Sequence, residues 1–369
     1  MTDTQTLRLA IDIGGTFTDT VVMTGQTVLA SAKTLTTHEA PARGALQGAL
    51  RALADAGRDM TEVTGLIHGT TLATNALIER RGARVVTLTT EGFRDILEIA
   101  YERRYAQYDI GLEKPQTLVP RNRSLTVSER VSASGDVLLP LTDVALADAV
   151  AAVNAAEAEA VAVCLLHSYA NDAHERALGA ALRAGCPGVA VSLSSEVSPE
   201  AREFDRLSTT VANAYVQPLM QGYLTEFARD FAAQGLRCPI LMMTASGGMC
   251  TLDTAARYPI RLVESGPAGG AILAARVARQ AGADQVLSFD MGGTTAKLCL
   301  IDAATPQMAR KFEIARAALA MFSSTIRLIP SAPPAASQSS GCPIWCARAP
   351  AAASASRCSA PSAKWSGWI

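Results

Sequence analysis

The sequence has 369 residues, 49% of them hydrophobic and 18% charged, with a formal net charge of −1. That length leaves room for two domains with sizeable cores, and near-neutrality excludes the basic field that nucleic acid or an anionic membrane surface would require. No apolar run is long enough for a transmembrane helix, the polar start predicts no signal peptide, and Cys164, Cys186, Cys238, Cys250 and Cys299 lack CxxC spacing, so a reduced, cytoplasmic protein is expected.

Apolar runs at Leu7–Ile13 and residues 20–24 flank a glycine turn and predict a hairpin. Residues 41–56 have helical periodicity, with Pro41 at the start and Gly57 after the end. A short strand at 66–68 leads into a helix over 70–81 that Gly82 ends. A strand at 85–88 follows. Helix 145–156, strand 160–166, helix 173–184 and strand 189–193 continue the alternation. Residues 201–234 read as one long helix in which Pro218 marks a place for a break. Ile240–Met243 is a strand, 268–281 a helix, and 286–290 with 297–301 a second hairpin. This order predicts an α/β protein with mixed sheets.

Residues 317–369 differ in composition. They contain no Asp or Glu, although the chain has 34, and they hold all three tryptophans, Trp345, Trp365 and Trp368, among Ala, Ser and Pro. No regular period runs through them, so an irregular, non-native tail is expected, of the kind out-of-frame reading of GC-rich DNA produces.

The sharpest motif is Asp12-Ile13-Gly14-Gly15-Thr16-Phe17-Thr18. Two glycines let the backbone approach a ligand and reach positive φ. Successive N–H groups then form an anion-binding concavity. The Thr16 and Thr18 hydroxyls are candidate phosphate donors, and Asp12 is a candidate carboxylate for a hydrated Mg²⁺. A plain hairpin with Asp12 capping its turn would explain one such loop. Asp290-Met291-Gly292-Gly293-Thr294 repeats the same order about 280 residues later, which points to two similar domains facing one site. Neither loop is a Walker A sequence, since no Gly-Lys-[Ser/Thr] follows, nor a dinucleotide fingerprint, since each leads into a strand. His68-Gly69-Thr70-Thr71 follows a strand and opens a helix, so Thr70 and Thr71 either meet an anion or cap the helix while His68 packs inside. Ser265-Gly266-Pro267-Ala268-Gly269-Gly270 reads as a helix start with Pro267 at its first position, or as a glycine-paved nucleotide contact through Gly266, Gly269 and Gly270. Tyr101-Glu102-Arg103-Arg104-Tyr105 is a charged face in which Arg103 is a candidate substrate contact.

The two loops resemble the phosphate hairpins of the actin/sugar kinase/Hsp70 superfamily. The His68–Arg80 and Thr89–Ile99 segments, with 203–215 and 265–270, resemble the hydantoinase A/5-oxoprolinase family from about residue 7 to 316. The resemblance implies two ribonuclease-H-like domains with mixed sheets, the second incomplete: residues 7–195 with the first hairpin, residues 200–316 with the second. It implies ATP and Mg²⁺ as cofactors, Asp12 and Asp290 as catalytic and metal-holding carboxylates, and Gly14, Gly15, Thr16, Thr18, Gly292, Gly293 and Thr294 around the phosphates. His68, Thr70, Thr71 and Arg103 are the candidates for substrate contact. The implied reaction is ATP-dependent hydrolysis of a cyclic amide such as a hydantoin or 5-oxoproline, beside a second, hydantoinase B-type subunit. The same resemblance admits a ketone carboxylase subunit, and the tail admits an inactive, truncated nucleotide-binding fragment.

Overall fold

A computed structural model describes residues 6–102, 108, 110–111, 116–291, 295–314, 317–324 and 327–330. The chain opens on a meander of β1 (Leu7–Ile13), β2 (Phe17–Thr24) and β3 (Thr27–Leu35). In β1 the apolar residues alternate, so Leu7, Leu9, Ile11 and Ile13 are buried on one face while Arg8 and Asp12 lie on the other. Helix α1 (Pro41–Asp55) starts at Pro41, whose fixed φ suits a first helical turn, and ends before Gly57 in the left-handed region. Its alanine face, Ala42, Ala45, Ala49 and Ala52, lies on the buried side of the sheet. The close approach leaves no room at Gly48, where a Cβ would sit 2.9 Å from Thr20 Oγ1. β4 (Val63–Thr70) runs parallel to β1 and is followed by α2 (Leu72–Ile78). That helix is shorter than the predicted 70–81, because Thr70 is still in the strand and Arg80 turns to a φ of 57°.

The chain then leaves this sheet for a parallel unit. Its elements are β5 (Val85–Thr90), α3 (Ile96–Ile99), β6 (Ser124–Val127), a ribbon of β7 (Arg130–Val131) and β8 (Val137–Leu139), α4 (Asp143–Ala155), β9 (Ala160–Cys164), α5 (Ala173–Gly185), β10 (Ala190–Leu193) and α6 (Ser194–Val197). The strand order is β10-β9-β5-β6, all parallel. Every residue of β5 and β9 is buried, as a sheet covered on both faces requires. Val86, Leu88, Val161 and Val163 join the core that contains Ala149, Val153, Leu178 and Leu182 of α4 and α5. Ala160, Ala162 and Cys164 instead join the main core.

That main core is built on α7 (Glu203–Ala233), 31 residues long and unbroken at Pro218. The break that Pro218 suggested does not occur. The helix is buried without interruption from Asp205 to Gln217, and tertiary packing of that extent outweighs the roughly 3 kcal/mol that an interior proline costs. After α7, β11 (Ile240–Met243) and β12 (Met249–Thr251) return to the first sheet, whose order is β12-β11-β4-β1-β2-β3. This three-stranded meander, extended by the parallel strands β4 and β11 and edged by the antiparallel β12, is a ribonuclease-H-like arrangement, and it draws strands from both sides of residues 195–200. Helix α8 (Leu252–Arg257) follows, capped by Thr251.

Helix α9 (Ser265–Ala281) begins three residues before the expected 268, so Pro267 is its third residue and not its first. β13 (Gln285–Met291) and β14 (Thr295–Asp302) form the second hairpin, followed by β15 (Thr305–Pro306), β16 (Met308–Ile314), β17 (Ala317–Ser324) and β18 (Arg327–Pro330). The expected irregular tail is corrected over its first part: β17 pairs with β16 and β18 pairs with β14. The composition of 317–369 as a whole hid a local run with Leu319, Met321 and Phe322 that can pair as a strand. The rest of the expected tail lies outside the described residues. Among the described residues no helix is long and apolar enough to cross a membrane, and Cys164, Cys186, Cys238, Cys250 and Cys299 are free.

Candidate functional site

Strand register places one row of residues across the open face of the first sheet. Asp12 on β1 is opposite Asp19 on β2 and Gly69 on β4, and Asp19 is opposite Lys33 on β3. Two carboxylates directly opposite one another repel. Lys33 offsets this by binding Asp19 at 2.9 and 3.1 Å. On the other side, the absence of a side chain at Gly69 accommodates Asp12: a Cβ there would lie 2.7 Å from Asp12 Oδ1. Gly69 is thus the residue that lets a half-buried carboxylate lie flat at the end of the sheet, a role that its position in His68-Gly69-Thr70-Thr71 did not disclose.

The turn beyond Asp12 is closed by the Gly14 N–H donating to Phe17 O at 2.9 Å. Thr36 holds it from the side: its hydroxyl donates to Gly14 O at 2.9 Å and its N–H to Thr16 O at 3.0 Å. Gly14 and Gly15 are not in the left-handed region, contrary to expectation. Gly14 is required by close approach instead, since a Cβ would meet Phe17 O at 3.1 Å. Thr16 is exposed. Thr18, also expected to face phosphate, is buried and hydrogen-bonded to the Thr36 hydroxyl at 3.2 Å. Strand alternation turns Thr18 to the α1 side, so its hydroxyl braces the hairpin.

His68, Thr70 and Thr71, the candidates for substrate contact, lie at the junction of β4 and α2. His68 is fully buried and stacked on Phe227 at 4.5 Å, between Ile11 O at 3.1 Å from Nδ1 and the Tyr223 hydroxyl at 2.5 Å from Nε2. A carbonyl can only accept, so Nδ1 carries the proton and Tyr223 donates to Nε2. Burial lowers the His68 pKa to about 4 and raises that of Tyr223. The Thr70 hydroxyl accepts from Leu72 N–H at 3.2 Å, at the start of α2. The Thr71 N–H and hydroxyl both donate to Ile13 O, at 3.0 and 3.1 Å. Asn75 Nδ2 donates to the Thr71 hydroxyl at 3.3 Å and lies 3.9 Å from where a Gly15 Cβ would be. The start of α2 therefore buttresses the hairpin, and Asn75 is the side chain of α2 nearest the turn. Arg103 lies outside the described residues.

The N-terminus of α9 meets α2, with Glu264 N–H donating to Thr74 Oγ1 at 3.2 Å. Glu264 precedes the helix in the left-handed region. Gly266, Gly269 and Gly270 are half-buried, and a Cβ at Gly266 or Gly270 would meet nothing within 4 Å. Gly266 and Gly270, one helical turn apart, thus face open space. Asp290 is exposed on β13, opposite Lys297. Gly292, Gly293 and Thr294 lie outside the described residues. Among the described residues no group of three or more His, Cys, Asp or Glu could hold a metal by itself.

Two family models match the chain in succession. The hydantoinase/oxoprolinase N-terminal region covers residues 8–186, and hydantoinase/oxoprolinase covers residues 206–328, past the expected limit of 316. The caprolactamase subunit alpha of Pseudomonas jessenii is 34% identical over 304 residues, 80% of this chain and 43% of its own length. The crystal structure of the ATP-dependent caprolactamase from Pseudomonas jessenii matches with a TM-score of 0.78 at 30% identity, over 87% of this chain and 48% of that one. A nucleotide-free acetone carboxylase matches in fold, with a TM-score of 0.79 at 24% identity over 89% of this chain and 48% of that one. The chain thus spans under half the length of each of these relatives. It belongs to the hydantoinase/oxoprolinase family.

Proposed function

We propose that this chain carries the ATP-phosphate site of an ATP-dependent cyclic amide hydrolase, working beside a second subunit. The observation that carries the reading is the Gly69–Asp12 row at the mouth of a glycine turn that is braced by Thr36 and Thr71. A braced loop that begins at a carboxylate is preorganised for charge, which is what phosphoryl transfer needs from a protein. The donor set suits Mg²⁺, which keeps most of its waters and takes one or two carboxylates plus phosphate oxygens. Asp12 would hold it, with Asp290 as the second carboxylate, and the ion would neutralise phosphate charge. The Gly14–Gly15 backbone and the Thr16 hydroxyl would hold phosphate oxygens, and the glycine patch of α9 would lie against the nucleotide.

The acceptor is the oxygen of a ring amide. Transfer of the γ-phosphoryl group breaks its bond to the ADP oxygen and forms a bond to the amide oxygen. The ring carbon is then open to water, and phosphate leaves as the ring opens. Similarity to a caprolactamase subunit alpha supports both the substrate class and the need for a second subunit.

The test is calorimetric titration of the chain with Mg²⁺–ATP, then phosphate release with hydantoin, 5-oxoproline or ε-caprolactam in the presence of the second subunit. Asp12→Ala should lower turnover by about 10²-fold or more, of the order seen when a key electrostatic group is removed, with the melting temperature nearly unchanged. Wild-type turnover in that variant would remove Asp12 from the mechanism. Phosphate release that requires acetone and bicarbonate, and not a ring amide, would assign the carboxylase reading instead.

A further inference from the structure

Beyond the Asp12 row, the same sheet face ends in an apolar pair. Side chains alternate along β2, so Phe17 shares the face of Asp19 and Asp12, and the register puts Leu35 of β3 directly opposite Phe17. Phe17 is 41% exposed and Leu35 72%. Lys33, held by Asp19 at 2.9 Å, places its ammonium 4.9 Å from the centre of the Phe17 ring and fixes it from one side. The aromatic is particular to this loop, for the matching position of the second hairpin is Thr295.

We propose that Phe17 and Leu35 form an apolar subsite for the hydrocarbon edge of the ring amide, an inference that rests on the function proposed above. The spacing argues for it. A reacting amide oxygen must come within about 3–3.5 Å of the phosphorus, so the ring carbons must fall close to the hairpin. Phe17 is two residues from Asp19, about 7 Å along the strand at the usual rise, which is the scale of one small ring. In one direction along this face lie the charges of Asp12, Asp19 and Lys33, which suit a metal–phosphate group. In the other lies apolar surface, which phosphate and ribose cannot use and a lactam's methylenes can.

The experiment loads the full chain with Mg²⁺ and a non-hydrolysable ATP analogue and measures its affinity for 2-pyrrolidinone, 2-piperidone and ε-caprolactam by ligand-observed NMR. In the wild type and in Phe17→Leu, affinity should rise about fourfold per added methylene, the transfer value of one CH₂. In Phe17→Ser and Leu35→Ser that dependence on ring size should flatten. Nucleotide affinity on the same samples reports whether the ATP site is intact. An unchanged dependence in the serine variants overturns the subsite, as does absence of amide binding to the nucleotide-loaded wild type, and both leave the ATP reading standing. Weaker binding of the second subunit by Phe17→Ser with the ring-size dependence intact assigns the pair to that interface and also overturns the subsite. Failure of the wild type to bind nucleotide overturns both readings.

Discussion

Gly69 and Gly82 are both required by close packing, yet substituting them should have opposite consequences. A Cβ at Gly69 would crowd Asp12 Oδ1 at 2.7 Å, the end of a side chain and not backbone. Gly69→Ala should therefore cost no more than about 1 kcal/mol of stability, the lower end for an added core methyl, while lowering nucleotide-dependent turnover at least tenfold on the order of a misplaced catalytic group. At Gly82 the added carbon would lie 2.2 Å from ring carbons of Tyr215, a nearly buried side chain of α7. Gly82→Ala should cost about 1–3 kcal/mol, the usual range for overpacking. Urea denaturation of both variants beside a turnover assay checks the pair. A Gly69→Ala protein with normal turnover would show that Asp12 does not need its present position.

The junction of β4 and α7 adds a pH-dependent contribution to stability. His68 is sandwiched between Ile11 O and Tyr223 and stacked on Phe227, which stacks in turn on Phe231 at 4.3 Å. Its pKa is lowered by burial from 6.5 to about 4. Above pH 6.5 the side chain is neutral in both folded and unfolded chains, and its titration leaves stability unchanged. Between about 6.5 and 4 the unfolded chain takes up a proton that the folded chain refuses, so stability falls with pH by on the order of 1 kcal/mol per unit. Below about 4 both forms are protonated and this contribution levels off. Urea unfolding at pH 7.5, 6 and 5 should trace the loss, and His68→Gln should reduce the slope. An identical slope in His68→Gln would place the pH dependence elsewhere. Truncating the ring beneath it, Phe227→Ala, should cost about 3–5 kcal/mol at any of these pH values, as for other buried aromatics.

Across the molecule, the β1–β2 and β13–β14 sheets differ in how they are covered. The first has α1 and α7 on its apolar face. In the β13–β14 sheet, Cys299 and Ile301 are buried, but Leu287, Phe289 and Leu300 on the opposite face are 60%, 59% and 45% exposed. Leu287 and Leu300 are direct cross-strand partners, so these side chains form one patch. An apolar patch on an open sheet promotes association. The isolated chain should scatter light increasingly with concentration, and Leu287→Lys with Phe289→Lys should suppress this without lowering the melting temperature. Equal scattering by the double variant would mean that another surface drives association.

Sequence by itself determined what depends on local pattern. The alternation of Leu7–Ile13, the proline and glycine bounds of α1, the strands of the parallel unit and the first Asp-x-Gly-Gly-Thr turn were legible, because period, turn residues and propensity act over a few positions. The same pattern could not say where a polar side chain ends up once elements pack. In the sequence His68, Thr70 and Thr71 read as a strand-to-helix junction far from the first turn, and only the pairing of β4 with β1, with α7 behind, brought them beside it, turned His68 into the core and bonded both threonine hydroxyls to the backbone. Thr18 faced inward by the alternation of β2, a direction that took meaning only once α1 covered that face. Pro218 stayed helical because contacts from distant residues outweighed a local penalty. Gly69 gained its meaning from an Asp 57 residues away in the chain and adjacent in the sheet. Hydrogen bonds and close approaches between remote strands are set by register, and register is a property of the folded chain.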